Sequence, residues 1–246
     1  MRKTSMLMIV ALAAIVVAVC RQKSPQAPPR ELTNSVGMKF VWTGPGSFKM
    51  GSESYGPVHD VKLSKGFYLQ TTEVTQAQWQ AVMGTSPSAH KGPDLPVERV
   101  SWDDIQEFLG KLNAREKDTR YRLPTEAQWE YACRAGGQEP DVAPNLDDVA
   151  WLGRNSGLGT HPVGRKKANA WGLYDMRGNV WEWVQDWHGE YSARQVDPQG
   201  PQSGDQRVLR GGDWRADRII AACSYPYYAP PSDRSHRVGF RCARTF

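Results

Sequence analysis

From Pro140 to the C-terminus, Gly, Pro, Asn and Asp recur every few residues. Each favours turns or breaks ladders, so regular structure should be sparse across the second half of the chain. The helices must then come from the first half, and three announce themselves there. Thr75 with Gln78 forms a capping box ahead of Trp79, Val82 and Met83, which share a face. Ser101 can cap a second helix whose first turn carries Asp103 and Asp104, with Ile105, Phe108, Leu109 and Leu112 buried. Thr125 with Gln128 forms another capping box before Trp129, Ala132 and Cys133, and Pro124 delays entry into that helix. Met38–Val41, Val58–Leu63, Phe67–Leu69, Arg207–Arg210 and Val238–Ala243 read as short strands.

The first stretch is not part of the fold. Arg2 and Lys3 precede an uncharged apolar run, Met6 to Val19, that is short of the ~20 residues a membrane span needs. Residues 1–20 therefore read as an export signal. The run ends Val17-Ala18-Val19-Cys20, which resembles a bacterial lipobox with Cys20 as the lipidation site, although Val19 is bulkier than the usual residue before the cysteine. Simple signal cleavage is the alternative. Arg21 after the cysteine favours the outer membrane if the chain is a lipoprotein. Residues 21–31 are polar and Pro-rich and read as an extended tether, leaving one domain over 32–246.

With 23% charged and 39% apolar residues, the composition is that of a folded globular protein. The net charge of +5 is spread among acids rather than gathered in a stripe, so nucleic acid is not an expected partner. Outside the signal there are Cys133, Cys223 and Cys242, which allow one bridge at most in an oxidising compartment. His59, His90, His161, His188 and His236 are scattered without metal spacing, and no nucleophile-elbow motif places a serine.

Several segments together resemble one family. They are Asn34–Phe40 with Gly46–Gly51, Glu73-Val-Thr75, Val100-Ser-Trp102, Arg122–Tyr131, Asn169–Trp183, Arg210-Gly-Gly-Asp-Trp214 and Gly239-Phe-Arg241. In this order they resemble the formylglycine-generating enzyme (sulfatase-modifying factor) family. That resemblance implies an irregular α+β fold related to the C-type lectin fold, with little regular secondary structure and a broad surface groove.

The family's enzymes oxidise a sulfatase cysteine using copper(I) held by two cysteines. Counted from Arg210, those positions fall here at Ala216 and Ala221, and no cysteine lies between Arg210 and Ala222. Copper is therefore not expected. The resemblance further implies a Cys133–Cys223 bridge with Cys242 a buried free thiol; a Cys223–Cys242 pair is the alternative. It implies one calcium, held by the side chains of Asp175 and Glu182 and the carbonyls of Gly178 and Val180. On spacing alone, the two acids would instead cap turns or pair with arginines. A second family calcium site needs an acid between Val149 and Thr160, and there is none.

The groove is expected around Trp181, Asp213, Trp214, Arg218, Tyr225, Tyr227 and Tyr228, a set rich in hot-spot residue types. The plainer alternative puts Trp181 and Trp214 in the core. The reading is an exported periplasmic binding or regulatory module with an envelope protein or peptide as partner. The alternative is a divergent oxidoreductase of the same family.

Overall fold

The computed structural model describes residues 28–191 and 194–246. The signal, Cys20 and the tether up to residue 27 lie outside the described residues. Among the described residues, no helix is long and apolar enough to cross a membrane.

Five strands open the fold: β1 (Glu31–Thr33), β2 (Lys39–Thr43), β3 (Gly46–Met50), β4 (His59–Leu63) and β5 (Phe67–Gln70). Three helices then carry the expected caps. In α1 (Gln76–Met83), the Thr75 hydroxyl accepts from Gln78 N–H while Gln78 reaches back. In α2 (Trp102–Glu116), Ser101 does the same with Asp104, so the first turn holds a full capping box as well as acids. After β6 (Tyr121–Arg122), Thr125 and Gln128 cap α3 (Glu126–Cys133). One short helix, α4 (Leu146–Val149), follows. The rest is β7 (Trp181–Trp187), β8 (Arg194–Val196), β9 (Arg207–Arg210), β10 (Tyr227–Ala229), β11 (Val238–Gly239) and β12 (Ala243–Thr245).

The strands form three sheets in the orders β1-β2-β5-β12-β6, β10-β9-β7-β11 and β3-β4-β8. Two apolar clusters lie among them. In one, Trp79 stacks on Phe108 with ring centroids 5.3 Å apart, and Phe240 meets Phe108 edge-on. The other gathers Phe48, Leu63, Leu69, Trp129 and Val184. Three tryptophans of these clusters show how the indole N–H is kept bonded, as burial requires. Trp183 donates to Val100 O, Trp102 to Val184 O and Trp129 to Glu182.

Two expectations change. Val238–Ala243 is not one strand: β11 pairs in parallel with β7, and β12 pairs with β5 and β6 in another sheet. The break frees Arg241 to turn its guanidinium into the core. The seven-residue β7 has no counterpart in the strand expectations. Its first four residues are all buried, so it lacks the alternation that marks a half-exposed strand.

Candidate functional site

Trp181 begins β7 and pairs with Val238 of β11, while β9 on the other side of β7 holds the edge strand β10. This arrangement sets Tyr227 of β10 over Trp181, with centroids 5.3 Å apart and planes 29° from parallel. Tyr225 lies 6.2 Å from Trp181 and meets Tyr55 edge-on at 4.8 Å. Two adjoining depressions, of about 160 and 310 Å³, share Trp181, Tyr227 and Arg237. Asp213 and Ala216 line the first, and Tyr228 and Gln206 the second. Together they make a groove with aromatic walls and one basic rim.

Asp213 is buried in that floor. It accepts from Arg215 N–H at 2.6 Å and pairs with Arg237 Nη1 at 3.1 Å. Burial nevertheless pushes its carboxyl above the ordinary value, against the pull of these partners. Five of the seven expected groove residues therefore meet: Trp181, Asp213, Tyr225, Tyr227 and Tyr228. Trp181 is only 5% exposed, so it is a core residue that presents a face to the groove. Trp214 is not a wall residue. It is buried between His90 and His236, at 5.8 and 5.7 Å. Arg218 is exposed and lines neither depression. Arg237 was missed by the sequence reading, because nothing in Ser235-His-Arg237 distinguishes it.

Buried ion networks hold this face to the rest of the fold. Arg210 of β9 binds Glu126 at 2.7 Å and Glu130 at 3.3 Å, both on α3, and donates to Cys223 O at 2.8 Å. Cys223 is bridged to Cys133 at the end of α3, as the resemblance implied, and Cys242 is a buried free thiol. A depression of about 470 Å³ beside α3 is lined by Glu126, Asp186, Trp187 and Tyr191, and the Tyr191 hydroxyl donates to Glu126.

The loop from Asp175 to Glu182 bends through three left-handed residues: Asp175, Gly178 and Asn179. At Gly178 a Cβ would collide with Trp151 O, so only glycine fits. Asp175 Oδ2 accepts from Gly164 N–H at 2.6 Å, and its Oδ1 has no partner. Glu182 accepts from Arg241 Nε and Nη2, each at 2.7 Å, and from Trp129 Nε1 at 2.7 Å. Among the described residues, no three His, Cys, Asp or Glu side chains converge as a metal set. The chemistry of the loop still fits a hard cation. Asp175 and Glu182 set hard carboxylate oxygens at the two ends of the loop, Asp175 Oδ1 is unpartnered, and Glu73 is a further buried acid without a side-chain partner.

The sulfatase-modifying factor enzyme 1-like domain matches residues 24–246. The chain belongs to the formylglycine-generating enzyme family. A chaperone protein, LppX, from Paenibacillus barcinonensis is 34% identical, over 74% of this chain and 80% of its own. The formylglycine-generating enzyme of Streptomyces coelicolor is 35% identical, over 69% of this chain and 59% of its own. The solved structure of Treponema denticola variable protein 1 superposes with a TM-score of 0.83 at 30% identity, covering 89% of this chain and all of that one. Within the family frame, Ala216 sits in the groove wall, and Ala216 and Ala221 share one small apolar cluster.

Proposed function

We propose that this domain is an exported, calcium-stabilised binding module whose groove takes an extended peptide or protein segment of the cell envelope. The observation that carries this reading is the groove itself. Where the family's enzymes hold copper(I), this chain has the methyl groups of Ala216 and Ala221, and neither offers a donor. The described cysteines do not substitute for them. Cys223 is bridged, and Cys242 lies in the core, where burial pushes its thiol far up. What lines the groove is Trp, Tyr and Arg, the residue types that dominate binding hot spots. The similarity to a protein named as a chaperone supports binding of another polypeptide. Calcium enters through the loop 175–182, with the carbonyls of Gly178 and Val180 as further oxygen donors.

The test has two arms on the purified protein. Copper(I), oxygen and a cysteine-containing sulfatase-type peptide are supplied, and the peptide is read by mass spectrometry. No oxidised product is expected, and turnover would establish the oxidoreductase instead. In parallel, a fluorescent peptide library is screened, and the best binder is titrated against Tyr227→Ala. Tyr227 is 48% exposed, so its loss should weaken binding by about tenfold or more with the melting temperature unchanged. A library without binders, or a variant that binds as the parent does, would remove the groove from consideration.

A further inference from the structure

The groove lies at the first residues of β7, and the cavity of about 470 Å³ beside α3 lies at its last two, Asp186 and Trp187. Two glycines shape this cavity. A Cβ at Gly189 would lie 2.4 Å from the Pro201 ring, and one at Gly200 would lie 2.9 Å from Asp186 Cβ. Without them the 198–201 segment closes against the end of β7, and Met50, Ala127, Trp187, Val196 and Pro201 supply apolar wall.

Two carboxyls line the same cavity, Glu126 at 5% and Asp186 at 3% exposure. Glu126 Oε1 accepts from Arg210 Nε and Nη2, at 3.0 and 2.7 Å, and from the Tyr191 hydroxyl at 2.6 Å. Glu126 is thus an ion-paired carboxylate. Asp186 Oδ2 accepts from the Glu126 N–H at 2.8 Å. Among the described residues, Glu126 Oε2 and Asp186 Oδ1 have no partner, and both remain open to the cavity rather than sealed in the core. No arginine bonds Asp186. Arg210 is held by Glu126 and Glu130, and Arg207 lies between the rings of Trp102 and Trp187 and donates to Gln185 O.

Burial, reinforced by the charge of Glu126, pushes the Asp186 carboxyl up to about 8. At neutral pH it carries a proton, and Oδ1 is the oxygen left to bear it. The proton removes the charge but not the need for a partner, since a buried O–H still lacks an acceptor. The cavity therefore offers one donor, Asp186 Oδ1–H, and one acceptor, Glu126 Oε2. A carboxamide carries the complementary acceptor and donor in one group. A carboxylate would meet the charge of Glu126, and an ammonium would leave the Asp186 O–H without an acceptor.

We propose that this cavity is a second binding site, taking an uncharged ligand through a carboxamide whose C=O accepts from Asp186 and whose N–H donates to Glu126. The apolar part of the ligand packs against Trp187, Val196 and Pro201. Neither the groove nor the calcium reading is needed for it.

The probes are benzamide, benzoate and benzylamine, which share a ring and differ in the polar group. Each is titrated into the full-length protein at pH 6 and followed by ligand-observed NMR. Benzamide should bind, and the charged probes should bind about tenfold more weakly or worse. N-acetylglucosamine and acetyl-glutamine amide, run beside them, tell an N-acetyl sugar from a side-chain amide as the source of the group. The charged groups around Asp186 are Glu126, Arg207 and Arg210, with Glu190 and Arg194 on the cavity lining. At pH 9 only about a tenth of Asp186 keeps its proton, so wild-type affinity for benzamide should fall about tenfold. Asp186→Asn keeps a donor for the ligand and an oxygen for the Glu126 N–H, so its binding should not change between pH 6 and pH 9. Asp186→Ala should lose benzamide; should it not fold, the Asn variant decides. No benzamide binding, tighter binding of either charged probe, binding that survives Asp186→Ala, or the same loss at pH 9 in Asp186→Asn would each overturn the proposal.

Discussion

The buried carboxylates of this domain divide by whether an arginine reaches them. Glu182 has Arg241, and Glu126 and Glu130 share Arg210. Asp186 is also buried, yet among the described residues its carboxylate accepts only from the N–H of Glu126. Burial, reinforced by the charge of Glu126, pushes its carboxyl up to about 8. Unfolded, the same group ionises near 3.8. Between these values the folded chain must hold a proton that the unfolded chain releases. The wild type therefore loses stability as pH rises from about 4 to about 8 and loses little more beyond that. Asp186→Asn keeps an oxygen for the Glu126 N–H and does not titrate. Its melting temperature should match the wild type at pH 4 and exceed it by at least ~4 °C at pH 8. Thermal scans across that range decide the matter, and a difference independent of pH would show that Asp186 is not held protonated.

Helices were legible in the sequence because their signals are local. Each of α1, α2 and α3 starts at the Thr or Ser that the chain advertises, and each has its N3 partner in place. The central strand β7 was not legible, because Trp181-Glu-Trp-Val184 is buried without alternation and its acid faces an arginine fifty-nine residues away. Nor was the split between β11 and β12, which depends on Arg241 leaving the strand to meet Glu182. Among the elements, α3 bears the most weight. It carries Glu126 and Glu130 to Arg210, Trp129 to Glu182 and Cys133 to Cys223. Thr125→Ala removes the hydroxyl that accepts from Gln128 N–H. Loss of such a cap costs about 1 kcal/mol, so the melting temperature should fall by roughly 2–4 °C. The Cys133–Cys223 bridge should still form, as thiol counting under denaturing conditions would show. A much larger fall would mean that the ion network comes apart with the cap.

At the scale of the molecule, five of the seven residues expected around a groove meet at two adjoining depressions, and two do not. Trp214 and Arg218 were expected in the groove from the family resemblance, and a tight turn after Gly212 sends one inward and the other to solvent. Arg237 and Glu73 reach their places only through long-range pairing, Trp181 with Val238 and Tyr174 with Thr71, which no local pattern encodes. The loop-rich second half is held by a few such links, and two of them converge. Cys133 Sγ lies 3.7 Å from Met176 O, inside the loop proposed to bind calcium, and Trp129 on the same helix bonds Glu182 at the loop's far end. If the bridge and the ion order the same loop, their contributions should be coupled rather than independent. In the wild type, replacing EGTA with calcium chloride should raise the melting temperature by several degrees. In a Cys133→Ala, Cys223→Ala variant, the loop starts less ordered and the ion must also order it. Calcium should then bind more weakly, and the rise at the same concentration should be visibly smaller. An equal rise in both proteins would mean that the loop keeps its shape without the bridge, and that the two anchors act on separate parts of the fold.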